Sequence, residues 1–294
     1  MIPLLEKLKD GEVLLADGAM GTELFKRGLK SGECPELFNV TNPEAVQEVV
    51  QLYLNAGSEI VLTNTLGGSA LKLADYKLDD RTEEINTSAV EIVKAVGKGK
   101  AYVAASVGPS GKILKPYGEA EPDELRESYA RQMKAMIDAG TDAIIIETMI
   151  DLQETIIAVK TAKAISSEIP VMATMTFNET PRGFFTVMGD NITKVVAGLT
   201  DAGVDIIGSN CGNGLEKMIK IAKDFKAETN LPIIIQANAG MPENRSGELY
   251  FPETPEFFAS KVGELIESGV SIIGGCCGTG PDHIRAMRKV INSF

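Results

Sequence analysis

The chain has 294 residues, of which 44% are hydrophobic, 5% aromatic and 24% charged, as expected for a folded globular protein. Its 41 acidic and 29 basic side chains give a formal net charge of -12, which argues against a nucleic acid or an anionic membrane surface as partner. The N-terminal segment MIPLLEKLKDGE lacks the apolar core of a signal peptide, and no apolar run is long enough to span a membrane. Four cysteines make a poor disulfide framework, so we expect a cytoplasmic protein with reduced thiols.

Eight short apolar runs recur along the chain, each followed by glycine or polar residues and then by a segment with helical apolar spacing. In chain order they are EVLLADG (12–18), SEIVLTNT (58–65), AYVAASVG (101–108), TDAIIIET (141–148), PVMATMTF (170–177), VDIIGSNC (204–211), PIIIQANAG (232–240) and VSIIGGCC (270–277). Such uninterrupted apolar strands predict burial on both faces, as in a parallel sheet covered by helices.

Glycines mark the passage from helix to strand in four of these units. They are Gly57, Gly140, Gly203 and Gly269, and each is expected to adopt the left-handed conformation that ends a helix. The segment 43–57 is predicted to be helical, with Thr41 or Asn42 as N-cap and Pro43 in the first turn. The segment 121–140 repeats this scheme.

Eight strand–helix units in fewer than 300 residues predict a closed α/β fold, the (β/α)8 TIM barrel. An open doubly wound sheet would usually carry a phosphate-binding glycine fingerprint after its first strand, and DGAMGT (17–22) is not one. No linker or charge block divides the chain, so we expect a single domain over residues 1–294. Active sites of such barrels lie at the C-terminal ends of the strands. The polar residues found there are Asp17, Thr63, Asn64, Glu147, Asn210, Cys211, Asn238, Cys276 and Cys277.

Three of the four cysteines therefore converge on one end of the barrel, and Cys34 alone lies in another loop. One buried cysteine usually packs as a small hydrophobe, but three at strand ends indicate a zinc site with a fourth position open for substrate. Adjacent cysteines cannot both face inward on an ideal strand, so the glycine-flanked GGCCG (274–278) is expected to bend. Zinc held by three thiolates suits binding of a substrate thiol, whose pKa it lowers from about 8.5. The expected reaction is attack of that sulfur on a methyl carbon.

Five motifs, DGAMGT, TNT, IIIET, GSNCG and GGCCGT, resemble those of the zinc-dependent homocysteine S-methyltransferase family. The resemblance covers about residues 13–290, and DGAMGT and GGCCGTGPDHI look most like the homocysteine-binding module of cobalamin-dependent methionine synthases. It implies that Cys211, Cys276 and Cys277 bind Zn²⁺, that homocysteine sulfur completes the tetrahedron, and that Asn210 supports a ligand.

The resemblance also implies roles for residues around the metal. Glu147, with Asp17 in support, would act as the catalytic carboxylate that takes the amino group of homocysteine. The backbone N–H groups of Ala19 and Met20 would bind the substrate carboxylate as an anion nest. The side-chain oxygen of Asn238 would hold the open zinc position when substrate is absent.

Simpler roles stay open for several of these residues. Asp17 could cap the following helix, Glu147 could form a structural ion pair, and Asn238 could satisfy loop backbone. His283 lies at a predicted helix start and is expected to be a surface or capping residue, which leaves histidine-dependent acid–base chemistry without a candidate. The segment 176–189 is predicted to be a lid or donor-facing loop.

The methyl donor is the least determined part of the reaction. In cobalamin-dependent relatives further modules follow the homocysteine module, whereas this chain ends shortly after the eighth unit. The resemblance therefore implies methylcobalamin on a separate corrinoid protein as donor, with methionine as product. The alternative is a corrinoid-dependent methyltransferase that moves a methyl group from a small ether, amine or thioether to a corrinoid protein. A zinc barrel with a structural or regulatory role, and a lyase-type barrel using Glu147 and a lysine, also stay open.

Overall fold

Eight parallel strands form the centre of the computed structural model, which describes residues 1–245 and 248–294. They are β1 (Leu14–Leu15), β2 (Ile60–Leu62), β3 (Tyr102–Val107), β4 (Ala143–Met149), β5 (Val171–Met175), β6 (Ile206–Asn210), β7 (Ile233–Ala237) and β8 (Ile272–Gly275). From β2 to β8 each strand pairs with the next one in sequence, and β1 pairs with β8. A single parallel bridge between Ala16, directly after β1, and Ile60 of β2 closes the ring. The predicted (β/α)8 barrel is therefore confirmed, and each predicted run overlaps one barrel strand.

Helices surround the barrel and supply the connections between strands. The α-helices within the described residues are Leu4–Lys9, Met20–Phe25, Phe38–Thr41, Pro43–Ala56, Ala70–Leu73, Thr82–Gly97, Pro122–Asp138, Leu152–Ile165, Ile192–Ala202, Leu215–Glu228, Pro255–Glu267 and Pro281–Ile291, with 3-10 turns at Pro35–Leu37, Ala74–Tyr76 and Asp79–Arg81. No described helix is long and apolar enough to cross a membrane.

The four glycines that precede strands adopt the predicted left-handed conformation. Their φ angles are 103° at Gly57, 85° at Gly140, 91° at Gly203 and 82° at Gly269. Of the two N-cap candidates for helix Pro43–Ala56, Asn42 occupies the position, but its side chain makes no capping hydrogen bond.

The first helix closes the N-terminal end of the barrel. Leu4 and Leu8 are buried and pack into the apolar cluster inside the barrel, which contains Ile145 and Ile234. The hydroxyl of Tyr102, at the start of β3, donates to the Ile2 carbonyl at 2.6 Å and fixes the chain there. This end is therefore filled with apolar side chains, and polar groups of the barrel interior lie toward the other end.

Two small hairpins follow the C-terminal ends of barrel strands. Asn178–Thr180 pairs with Gly183–Phe185 after β5, within the segment predicted as a lid or donor-facing loop. Glu243–Arg245 pairs with Glu248–Tyr250 after β7, a hairpin that the sequence pattern did not predict. Both hairpins thus belong to the end of the barrel where the predicted site residues lie.

Candidate functional site

The three cysteines at strand ends form one cluster. The Sγ atoms of Cys211, Cys276 and Cys277 lie within 4.8 Å of one another. Cys211 follows β6 and the other two follow β8, as the strand-end argument predicted. Cys34 is buried in a separate apolar cluster, where its thiol donates to Glu36 at 3.3 Å. All four cysteines are free thiols.

A turn after β8 presents the two adjacent cysteines to the same space. The strand ends at Gly275, and the carbonyl of Cys276 then accepts from the Thr279 hydroxyl at 2.6 Å. The predicted bend is thus present, but the glycines serve it differently from the prediction. Gly278 has φ 80°, whereas Gly275 provides room, since a Cβ there would lie 2.1 Å from Thr279 Oγ1.

Two residues of the site hold a left-handed backbone without being glycine. Cys211 has φ 60° and Thr148 has φ 62°. Such a conformation costs an L-residue roughly 1–2 kcal/mol, and it persists where surrounding contacts enforce it. The Cys211 N–H donates to the Gln236 carbonyl at 3.2 Å, and the Thr148 N–H donates to Asn210 Oδ1 at 2.7 Å. The backbone is therefore held out of its usual range at a cluster thiol and beside Glu147.

The cluster thiols differ in acidity. Hydrogen bonds from Cys276 and Cys277 lower the pKa of Cys211 to about 3. The same hydrogen bonds to Cys211 raise the pKa of Cys276 well above its usual range and that of Cys277 to about 11. Hydrogen bonds among the three thiols therefore favour loss of a proton from the cluster, and thiolates are the ligands that a soft cation prefers.

Glu147 is a buried carboxylate beside this cluster. It accepts from the Ser106 hydroxyl at 2.5 Å and from Asn210 Nδ2 at 3.2 Å. Burial raises the pKa of Glu147 to about 7, the Ser106 hydroxyl opposes the shift, and the charge of Cys211 adds to it. Within the described residues no cation forms a salt bridge with Glu147, so the structural ion pair that the sequence left open is absent there.

Asp17 is also buried and does not cap the helix that follows it. Helix Met20–Phe25 begins after Ala19 without a side-chain cap, and Asp17 Oδ2 instead accepts from the Leu62 N–H at 2.9 Å. Its Oδ1 has no hydrogen-bond partner among the described residues. Burial raises the pKa of Asp17 well above its usual range, and the charge of Glu147 raises it further. The two acids therefore interact, and no cationic side chain of the described residues forms a salt bridge with either of them.

Asn210 connects the acids to the thiol cluster. Its Nδ2 lies 3.2 Å from Glu147 Oε2, 2.8 Å from Thr148 Oγ1 and 3.8 Å from Cys276 Sγ. Its Oδ1 accepts from the Thr174 hydroxyl at 2.8 Å in addition to the Thr148 N–H. Asn210 thus positions the catalytic candidate Glu147. The sequence had predicted only that Asn210 supports a zinc ligand.

The remaining predicted residues have more specific partners than the motifs indicated. The Ala19 N–H donates to the Thr279 carbonyl at 3.0 Å, so it is engaged and does not serve the predicted anion nest here. Met20 is the first residue of its helix, where N–H groups have no intrahelical acceptor. Asn238 Oδ1 accepts from the Cys277 N–H at 3.1 Å and so holds the turn that carries Cys276 and Cys277. This is the simpler role, a hydrogen bond to loop backbone, that the sequence left open for Asn238.

His283 caps the last helix, which is one of the two roles that the sequence left open for it. Its Nδ1 accepts from the Gly280 N–H at 3.2 Å at the start of helix Pro281–Ile291, and Nε2 lies 2.9 Å from the Glu253 carbonyl. Burial lowers the pKa of His283. Both ring nitrogens are therefore occupied by backbone groups.

A cavity of about 260 Å³ brings most of these residues together. Of the predicted site residues, the ones that line it are Ala19, Met20, Asn64, Thr63, Glu147, Cys211, Cys276 and Cys277. Ser106, Thr148 and Gln236 also line it and were not predicted, because they stand inside apolar runs or beside a stronger candidate. The strand alternation that puts Glu147 in the interior could have identified Ser106 and Gln236.

Fold and site together define a barrel enzyme with three thiols and two buried acids at the C-terminal end. A sequence model of the homocysteine S-methyltransferase family matches residues 14–291. The chain therefore belongs to the homocysteine S-methyltransferase family, a family of methyltransferases.

Individual relatives agree with this assignment. The chain is 32% identical to a methionine synthase of Mycobacterium leprae (strain TN), over 98% of this chain and 25% of that protein. It is also 32% identical to a methionine synthase of Mycobacterium tuberculosis (strain ATCC 25618 / H37Rv), over 95% of this chain and 24% of that protein. The chain thus spans about a quarter of the length of these curated relatives.

Solved structures share the fold. The homocysteine methyltransferase MmuM from Escherichia coli, in its oxidized form, has a TM-score of 0.81 at 25% identity, over 97% of this chain and 98% of that one. The metallated form of MmuM has the same TM-score at 24% identity.

Proposed function

We propose that residues 1–294 act as one zinc-dependent domain that methylates homocysteine to methionine. The observation that carries the proposal is the placement of three thiols, all within 4.8 Å of one another, in the wall of a cavity that also contains a buried acid. Family membership supports homocysteine as the thiol substrate.

The thiol cluster fits zinc by the chemistry of its donors. Cys211, Cys276 and Cys277 would hold the ion, because thiolates are preferred zinc ligands and the hydrogen bonds among the thiols lower the pKa of Cys211. Zinc bound there would lower the pKa of the substrate thiol and keep it as a nucleophilic thiolate. Asn238 Oδ1 would keep Cys277 in place by accepting from the Cys277 N–H, and Asn210 Nδ2 would keep Cys276 in place by donating to its Sγ.

The two buried acids would orient the substrate through its amino group. No cationic side chain of residues 1–245 or 248–294 forms a salt bridge with Glu147 or Asp17, and a bound ammonium would supply the cation where the two carboxylates interact. The substrate carboxylate would then lie at the start of helix Met20–Phe25. There the N–H groups of Met20 and Gly21 would bind it, in place of the predicted pair Ala19 and Met20, because the Ala19 N–H already donates to the Thr279 carbonyl.

The reaction is a methyl transfer to sulfur. A new S–C bond forms as the substrate thiolate attacks the methyl carbon, the bond from carbon to the donor breaks, and the donor keeps that electron pair. The thiol proton leaves to solvent when the substrate binds. Glu147 stays a binding group and takes no part in bond breaking, because the thiolate needs no further base at the moment of attack.

We infer that the donor is methylcobalamin carried by a corrinoid protein or module outside these residues. The supporting observation is the 32% identity to methionine synthases over nearly the whole of this chain. The reverse half-reaction, from a small methylated substrate to a corrinoid protein, would use the same site. Supplying the protein with homocysteine and either methylcobalamin or S-methylmethionine distinguishes the donors, and methionine formed from S-methylmethionine alone would contradict the corrinoid assignment.

Metal analysis of purified protein tests the central claim. We expect about one zinc per chain, and X-ray absorption should show four sulfur neighbours once homocysteine saturates the protein. Loss of a residue that hydrogen-bonds to a metal ligand weakens metal binding by roughly 10–100-fold. Cys277→Ser removes a ligand itself and should therefore weaken zinc binding by more than that. Cys34→Ser is the matched control, because that buried thiol lies outside the cluster. Full zinc content in Cys277→Ser, or three sulfurs in saturating homocysteine, would overturn the proposal.

A further inference from the structure

Gln236 is a buried glutamine in the cavity wall whose side-chain oxygen has no donor. It lies in β7 beside the Cys211 backbone and is 2% exposed. Its Oε1 has no hydrogen-bond partner within the part of the chain that the structure describes. Buried amide oxygens nearly always have a donor. An unpartnered one at a cavity wall therefore points to a donor that a ligand supplies.

The strand places Gln236 on the interior of the barrel. Ile234, two residues earlier, packs in the apolar cluster inside the barrel, and side chains alternate along a strand. Asn210 and Gly274 are its register partners on the flanking strands. A Cβ at Gly274 would lie 3.1 Å from Gln236 Cγ and 3.2 Å from the Asp17 carbonyl oxygen. The glycine therefore leaves room for the Gln236 side chain beside the backbone of Asp17.

Asp17 carries a second unpartnered oxygen at this place. Its Oδ1 is buried without a donor, as Gln236 Oε1 is. Five described side chains have such an atom, Asp17, Ser58, Asn86, Gln132 and Gln236, and of these Gln236 alone lines the cavity. Gln236 and Glu147 thus line one cavity, and Asp17 adjoins its wall through Gly18 and Leu62, with a charge interaction with Glu147 and a second acceptor without a donor.

We propose that Gln236 Oε1 accepts a hydrogen bond from the α-ammonium group of the substrate, together with Asp17 and Glu147. This inference rests on the proposed function, because it assumes an amino-acid thiol as substrate. An ammonium group has three N–H donors and no acceptor, so three acceptors satisfy it. Two carboxylates already supply the charge, and a third would add like-charge repulsion. A neutral amide oxygen completes the set without that cost.

Three thiols separate this role from others when their binding is measured by calorimetry on zinc-loaded protein. Homocysteine has both polar groups, 4-mercaptobutanoate lacks the amino group, and 3-aminopropane-1-thiol lacks the carboxylate. Gln236→Met keeps the length of the side chain and removes both amide atoms. It should weaken binding of the two amino thiols by about tenfold or more and leave 4-mercaptobutanoate within about twofold.

Two further variants complete the test. Gln236→Glu keeps an acceptor oxygen and should retain more homocysteine affinity than Gln236→Met. Gln132→Met removes the other buried glutamine with an unpartnered oxygen and should not change the relative affinities of the three thiols. Equal weakening for all three thiols in Gln236→Met would mean a structural role only. Weakening confined to the two carboxylate-bearing thiols would place Gln236 on the substrate carboxylate instead. Either result overturns the inference while the proposed function stands, whereas wild-type protein that does not bind homocysteine overturns both.

Discussion

At the scale of single residues, the site depends on polar side chains that share partners. Asn210 contacts Glu147, Thr148 and Cys276, so the acid and one thiol are positioned by one amide. Glu147 is held by Ser106 on its other oxygen. A change at Glu147 therefore affects the charge of the cavity without removing the apolar framework around it.

The ionisation of Glu147 predicts a pH dependence of stability. Its pKa is raised from 4.5 to about 7, so the folded state binds a proton more tightly than the unfolded state. This contribution is fully present below the unfolded pKa and is lost as pH rises through about 7. Glu147→Gln cannot titrate, so its free energy of unfolding should rise relative to wild type by about 3 kcal/mol from low pH to pH 8.

Urea unfolding of both zinc-free proteins at several pH values between 4 and 8 measures this difference. The cysteines and Asp17 titrate in both proteins, so the comparison keeps only the part of their titration that depends on the charge of Glu147. Parallel curves for the two proteins would show that Glu147 keeps an ordinary pKa.

At the scale of elements, local patterns predicted the barrel, whereas contacts between distant segments determined the details of the site. The eight apolar runs predicted the strands, and the four left-handed glycines predicted where the helices before them end. Both features depend on residues that are adjacent in the sequence. The engaged amide of Ala19 depends on Thr279, which lies near the other end of the chain. The hairpin Glu243–Arg245 with Glu248–Tyr250 has alternating charged residues and no apolar run, so strand periodicity missed it.

The turn after β8 gives a prediction at this scale. A Cβ at residue 275 would lie 2.1 Å from Thr279 Oγ1 and 2.6 Å from Thr279 Cβ, which forces the turn with Cys276 and Cys277 to shift. Gly275→Ala should therefore weaken zinc binding by about tenfold or more, measured by competition with a chelator. Gly97→Ala is the control, because a Cβ there meets no atom within 4 Å. Unchanged zinc affinity in Gly275→Ala would show that the turn accommodates the methyl group.

At the scale of the whole molecule, the two ends of the barrel have different tasks. The C-terminal end carries the thiols and acids, and the N-terminal end is closed by helix Leu4–Lys9. Glu59 binds Lys7 of this first helix at 3.1 Å and also pairs with Arg288 of the last helix. Its carboxylate accepts from the Leu15 N–H as well, at 3.3 Å. The two ends of the chain are thereby joined where β1 and β2 close the barrel.

This separation predicts that stability can be changed without changing the site. Leu4 is 2% exposed inside the barrel, so Leu4→Ala should lower the free energy of unfolding by about 2–5 kcal/mol. Zinc content and homocysteine affinity of the folded variant should equal those of wild type. Leu4 lies at the N-terminal end of the barrel and does not contact the thiols or acids at the C-terminal end. Ile2→Ala is the matched control, since Ile2 is 57% exposed and its loss should cost less than about 0.5 kcal/mol. If Leu4→Ala lost zinc at a temperature where it stays folded, the two ends would be coupled through the strands, and the thiol cluster would depend on the packing of the whole barrel interior.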